Sequence, residues 1–95
     1  MTKPRHIWVF CYDVTDNGMR KRLADLLLDH AVRVQESVFE GRMTKTAAKK
    51  LARECARYIL PGDSLRAYRI TDRALEDCLA IGGAPVAEAG DFWLV

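Results

Sequence analysis

Hydrophobic positions change period several times along this chain, and each change marks an element. Residues 6–12, HIWVFCY, are β-branched and aromatic. Apolar side chains fall at both parities, with Ile7, Val9 and Cys11 at one and Trp8, Phe10 and Tyr12 at the other, which predicts a strand buried on both faces. From Asp16 the period becomes helical. Met19, Leu23, Leu26, Leu27 and His30 form the stripe of a first helix running to about residue 30, capped by Thr15 or Asp16. Residues 32–43, VRVQESVFEGRM, read as a strand, a tight turn at Gln35, Glu36 and Ser37, and a second strand. Thr44 then caps a second helix with Ala48, Leu51, Ala52, Cys55, Tyr58 and Ile59 as its buried stripe, and Leu60-Pro61-Gly62 ends it. SLRAYRI, 64–70, is a further strand with Leu65 and Ala67 on one side and Arg66, Tyr68 and Ile70 on the other. Residues 71–77 are expected to form a turn or one helical turn, CLAI (78–81) a short strand, GGAPVAEAG a loop and FWLV (92–95) a last strand.

The order β-α-β-β-α-β is the split arrangement of a ferredoxin-like α+β fold, a sheet carrying both helices on one face. At 95 residues the chain has length for one core, so residues 1–95 are expected to form a single domain, with 82–95 as a C-terminal loop and strand. The other sheet face is left open, yet the first strand offers apolar side chains to both. Leaving that face in water would expose more apolar surface than a monomer normally tolerates, which predicts a homodimer packed sheet on sheet. FWLV would then pair with an edge of the neighbour.

Composition narrows the class. Hydrophobic residues make up 49% and charged residues 29%, and no apolar run is long enough to span a bilayer. MTKPRHIWVFCYD passes from charge directly into a strand pattern, with no secretory-signal architecture, so a cytoplasmic protein without a membrane partner is expected. Cys11, Cys55 and Cys78 are odd in number, widely spaced and set in apolar surroundings, which predicts reduced core thiols rather than disulfides or zinc. The formal charge is only +2, but it is unevenly spread. Residues 42–57 hold Arg42, Lys45, Lys49, Lys50, Arg53 and Arg57 against Glu54, whereas 72–91 hold Asp72, Glu76, Asp77, Glu88 and Asp91 against Arg73. A basic middle permits a polyanion-binding face, and Lys45, Lys49, Arg53 and Arg57 share a helix face by their four-residue spacing.

The junction YDVTDNGMRKR carries the candidate chemistry. An aspartate between a strand and a helix most often serves a turn or a cap, and Asp13 has that reading. Its neighbours supply another. Arg20, Lys21 and Arg22 lie near the start of a helix, where the dipole disfavours each cation by about 0.3–1 kcal/mol, and Lys45, Lys49 and Lys50 repeat the violation in the second helix. Unopposed cations at two helix starts suit an external anion. Helix-start amides, the Asn17-Gly18 turn and the arginines would cradle phosphate beside Asp13. Magnesium needs only one or two protein carboxylates when water and phosphate oxygens complete its shell, and a twofold axis near the first strands would let two copies of Asp13 share one ion. No CxxC, HExxH, Walker or GxGxxG pattern competes. His6 and His30 read as structural, and Cys11 lacks a partner base.

YDVTDNGMRKR together with RVQESVFEGRMT, DSLRAYRI and the IGG loop resembles the CRISPR-associated protein two family, over nearly the whole chain. That resemblance implies a ferredoxin-like homodimer and a nuclease dependent on magnesium or manganese, acting on RNA or double-stranded DNA, with Asp13 as the shared metal ligand. It assigns functional positions to Tyr12, Arg20, Arg22, Arg33 and Phe39. It also implies assembly with the CRISPR integrase in spacer acquisition, and the alternative within the family is a non-catalytic scaffold bridging integrase dimers through Lys45, Lys49, Arg53 and Arg57. Glu36 departs from the family, whose members often carry an aromatic or basic residue there, and the acidic pair 76–77 is a second departure. An RNA-recognition module has less support, because SVFEGRM supplies only Phe39 for base stacking.

Overall fold

Strand β1, Arg5–Asp13, is hydrogen-bonded along most of its length to a neighbour on each side. A computed structural model describes residues 3–88 and sets β1 at the centre of a four-stranded sheet. Helix α1 spans Asn17–Leu28, β2 Val32–Gln35, β3 Val38–Thr44, α2 Lys45–Cys55, β4 Ser64–Ile70 and α3 Asp72–Leu75. The sheet order β2-β3-β1-β4, antiparallel throughout, is the ferredoxin-like topology expected from the element order.

Alternation along the strands decides the core. Phe10 and Tyr12 of β1 and Phe39 and Met43 of β3 turn to the helices, where Leu23, Ala24 and Leu27 of α1 and Ala48, Leu51 and Cys55 of α2 close over them. Phe10, Phe39, Leu23, Leu27 and Cys55 are the largest side chains wholly withdrawn from water, and burying an aliphatic or aromatic side chain of this size contributes about 1.5–3 kcal/mol. Between Phe39 and Met43 stands Gly41. A Cβ there would lie 2.8 Å from the His30 carbonyl oxygen and 3.1 Å from the Ala31 Cβ, so the segment leaving α1 rests directly on the β3 backbone.

Local signals explain the element ends. Asp16 caps α1 through the Met19 amide at 2.9 Å, and Thr44 caps α2 through the Ala47 amide at 3.1 Å. Four sequence expectations change. Helix α1 stops at Leu28 rather than about residue 30, because the His30 and Ala31 amides both turn back to the Leu27 carbonyl, leaving His30 exposed. Helix α2 stops at Cys55, and Ala56–Tyr58 form a 3-10 turn. The Pro61-Gly62 pair makes a separate reverse turn, with Gly62 at φ 91° and the Asp63 amide on the Leu60 carbonyl. CLAI (78–81) is not a strand: the Cys78 amide closes onto Leu75 after α3, and Leu79 and Ile81 stand 91% and 99% exposed and pair with no described strand. Of the three free cysteines only Cys55 belongs to the core, Cys11 and Cys78 being half-buried.

The sheet face away from the helices is partly covered by the chain itself. Val38, Glu40 and Ile70 line a concavity of about 440 Å³ with residues from Cys78 to Val86, and the Arg42 guanidinium binds the Asp72 carboxylate at 3.4 Å and the Glu88 carbonyl. Ile7 is buried on this side, beside Arg42, Ala87 and Glu88. The expected FWLV strand lies outside the described residues. Among the described residues no helix is long and apolar enough to cross a membrane.

Two outcomes follow for stability. Gly41→Ala is expected to destabilise by about 1–3 kcal/mol in urea titrations, since the new methyl meets backbone rather than a movable side chain. Burial, with Glu54 adding to it, pushes the Cys55 thiol from 9.0 up to about 11, so the folded state favours the neutral thiol. The contribution is complete below about pH 9 and is lost as pH rises towards 11, a fall of roughly 2–3 kcal/mol that Cys55→Ala should lack in denaturation curves taken across that range.

Candidate active site

The end of β1 delivers two successive residues to different fates. Tyr12 is buried under the helices, while Asp13 is exposed and makes no side-chain hydrogen bond or ion pair with a described residue. The turn between β2 and β3 stands beside them, because the Tyr12 amide donates to the Ser37 carbonyl at 3.2 Å and so carries the β1–β3 pairing one step past Cys11 opposite Val38. On the other side Asp13 lies opposite Ser64 in β4.

A depression of about 340 Å³ opens at this point, lined by Tyr12, Asp13, Val14, Arg20, Glu36 and Ser37. Arg20 is anchored to the junction backbone. One guanidinium nitrogen donates to the Val14 carbonyl at 3.0 Å and reaches the Thr15 carbonyl at 3.5 Å, and the other binds the Asn17 side chain. With its donors held on neutral acceptors, its charge is left without a carboxylate partner. A second depression of about 400 Å³ adjoins the first through Arg20 and Glu36 and adds Asn17, Lys21, Asp25 and Arg33. Lys21 is matched there by Asp25 at 3.1 Å, an exposed pair one helical turn apart that contributes little.

The aromatic members of the predicted set are supports. Phe39 is fully buried, the Tyr12 ring stacks on it at 6.1 Å between centroids, and the Arg33 guanidinium lies over its ring at 5.0 Å. Arg33 also donates through Nε to the Glu36 carbonyl at 3.1 Å, which ties the hairpin turn to the same cluster. The Tyr12 hydroxyl is buried without a hydrogen-bond partner among the described residues.

The structure therefore gathers Tyr12, Asp13, Arg20, Arg33 and Phe39 at one end of the sheet. Arg22 is exposed on α1 and lines neither depression. Lys45, Lys49 and Arg53 are exposed along α2, as their spacing predicts. Arg57 is exposed as well, but it sits in the 3-10 turn after α2, with its guanidinium over the Tyr58 ring at 6.0 Å. Among the described residues no group of three His, Cys, Asp or Glu side chains gathers into a metal cage. Asp63 is a contributor that sequence reasoning missed: its carboxylate accepts the Thr15 amide at 3.2 Å and the Leu60 amide at 3.1 Å, bracing the loop after Asp13 against the loop before β4. Its signal was the aspartate directly after Pro61-Gly62.

Known proteins carry the same elements. A family model described as CRISPR associated protein Cas2 matches residues 6–78, from β1 through α3. The CRISPR-associated endoribonuclease Cas2 of Mycobacterium tuberculosis is 41% identical over 59 residues, 62% of this chain and 52% of the relative, so the match spans about half the length of that protein. The CRISPR-associated endoribonuclease Cas2 2 of Synechocystis sp. is 36% identical over 90 residues, 93% of this chain and 97% of the relative. A chain in a solved partial Cas6-RT-Cas1–Cas2 complex superposes with a TM-score of 0.73 at 25% identity, covering 90% of this chain and 95% of that chain. A family match that runs from β1 through α3 agrees with a relative 36% identical over 93% of this chain: the chain belongs to the Cas2 family of CRISPR-associated proteins.

Proposed function

We propose that this chain acts in CRISPR adaptation as a metal-dependent endonuclease on RNA or double-stranded DNA, as a homodimer working with the CRISPR integrase. The observation that carries the reading is the Asp13 carboxylate, exposed and unpartnered among the described residues at a strand end, sharing a depression with an anchored arginine. Membership of a family whose relatives are named endoribonucleases, and whose structural neighbour sits in a complex named for Cas1 and Cas2, supports both the reaction and the partner.

The donor set fits magnesium or manganese. The junction offers hard oxygen from a carboxylate, and a hard ion that keeps much of its water needs few protein ligands. Asp13 holds the ion, with its counterpart from a second copy completing the protein share. When bound, the ion supplies charge neutralisation at the scissile phosphodiester. Arg20 meets the phosphate backbone from a fixed position, because its contacts to Val14, Thr15 and Asn17 leave the charge facing the depression. Arg33 extends the track along the second depression, and Tyr12 and Phe39 hold Arg33 and the hairpin turn in place without touching substrate.

A second reading, a non-catalytic scaffold bridging integrase dimers, has its own support in the row of exposed cations Lys45, Lys49 and Arg53 on α2. The two readings assign different residues.

Asp13→Ala is expected to lower magnesium-dependent cleavage of RNA and duplex DNA on the order of a hundredfold or more while sedimentation shows an unchanged oligomer. Cleavage that survives the substitution, or needs no divalent ion, overturns the nuclease reading. Neutralising Lys45, Lys49 and Arg53 together should weaken duplex DNA binding and flatten its salt dependence by about 0.9 in log-log slope for each phosphate no longer neutralised, a titration that tests the scaffold role independently.

A further inference from the structure

We propose that Asp63 is the positioning residue for Arg20, acting through the peptide group that joins Val14 to Thr15. This rests on the reading of Arg20 as the cation that meets the phosphate backbone, and it names what keeps that cation in place.

One peptide is gripped from both ends. Its carbonyl oxygen, on Val14, accepts a guanidinium nitrogen of Arg20 at 3.0 Å, and its N–H, on Thr15, donates to the Asp63 carboxylate at 3.2 Å. No described peptide bond is cis, so the carbonyl and the N–H point to opposite sides of a rigid plane. The cation draws electron density toward the oxygen and the anion attracts the amide proton, so each charge-assisted bond strengthens the other. Arg20 and Asp63 form no ion pair with each other among the described residues. A direct pair would hold the guanidinium but spend its charge on a carboxylate. An intervening peptide fixes the guanidinium and leaves its charge for an external phosphate.

Asp63 is itself held still. It is half-buried, its second oxygen accepts the Leu60 amide at 3.1 Å, and its own amide donates to the Leu60 carbonyl at 2.9 Å across the Pro61-Gly62 turn. Closing that turn occupies one carboxylate oxygen only. The other reaches an amide 48 residues earlier in the chain, on the same peptide that Arg20 uses. Val14 is 4% exposed with its side chain in the core, and Asp13 before it lies opposite Ser64, the neighbour of Asp63. Arg20 lines both depressions, so a shift of the Val14–Thr15 plane would move its guanidinium where the two adjoin.

Binding of the full chain to a short duplex DNA without divalent ion, followed by fluorescence anisotropy, tests this apart from any cleavage. Wild type, Arg20→Ala, Asp63→Ala and the double variant form a cycle, with circular dichroism verifying each fold. Removing a carboxylate makes the chain more positive, so charge alone predicts tighter binding to a polyanion. Positioning predicts the reverse. Asp63→Ala should bind about threefold more weakly than wild type, and should lose nothing further when Arg20 is already alanine. Asp63→Asn keeps the shape but offers one acceptor for two amides; it carries the same cycle if the alanine variant does not fold, with a smaller loss in the same direction. Where Arg20→Ala binds weakly, unchanged or tighter binding by the folded Asp63 variant, or an equal loss in both backgrounds, overturns the role of Asp63 and leaves Arg20 standing. Wild-type affinity in Arg20→Ala, or no binding by wild type at all, overturns the parent reading of Arg20 and this one with it.

Discussion

Two-sided pairing of β1 governs everything that happens at its end. With Phe10 opposite Phe39 on one side and Ala67 on the other, a slip of one residue would turn Phe10 and Tyr12 away from the helices and bring Val9 and Cys11 in their place. The apolar burial at stake, with Phe10 and Phe39 wholly withdrawn from water, outweighs the net contribution of about 1 kcal/mol that a single polar contact at the junction makes. Core packing therefore sets the register, and the register sets which residue emerges where the strand runs out. Asp13 is in solvent because Tyr12 is not.

Much of this was legible in the residues themselves. The double parity of HIWVFCY marked a strand, SLRAYRI matched β4 residue for residue, and Asp16 and Thr44 cap the helices as their side chains suggest. What escaped were features decided by distant partners. CLAI has strand-like composition, but a strand needs an edge to pair with, and the turn after α3 consumes the first amide. The end of α2 at Cys55 depends on a 3-10 turn that four-residue periodicity does not reveal. At the site, the exposure of Asp13 followed from its place after a strand, whereas the burial of Tyr12 and Phe39 showed only once both faces of the sheet were known. Asp63 was hidden by sequence distance, being 48 residues from the amide it holds.

The open sheet face is less apolar than the first strand alone suggests. Val9 has Glu40 and Tyr68 as its cross-strand neighbours, and Arg66 donates to the Tyr68 hydroxyl at 2.9 Å, so this face mixes polar and apolar side chains. Ile7 is sheltered by Ala87 and Glu88, with Arg42 as the link between β3, α3 and the last described residues. Part of the cover that composition assigned to another copy thus comes from within the chain.

Arg33 shows what the aromatic cluster does for a long, flexible cation. One face of its guanidinium rests on Phe39 and its Nε is held by the Glu36 carbonyl, so most of its rotamers are already given up in the free protein. An exposed arginine ordinarily surrenders about 0.5–1.5 kcal/mol of rotational freedom when it grips a ligand, and here little of that loss remains to be incurred on binding. Its two terminal nitrogens, which bond to no described residue, are left on a side chain already held in place, a fork of donors rather than a tether.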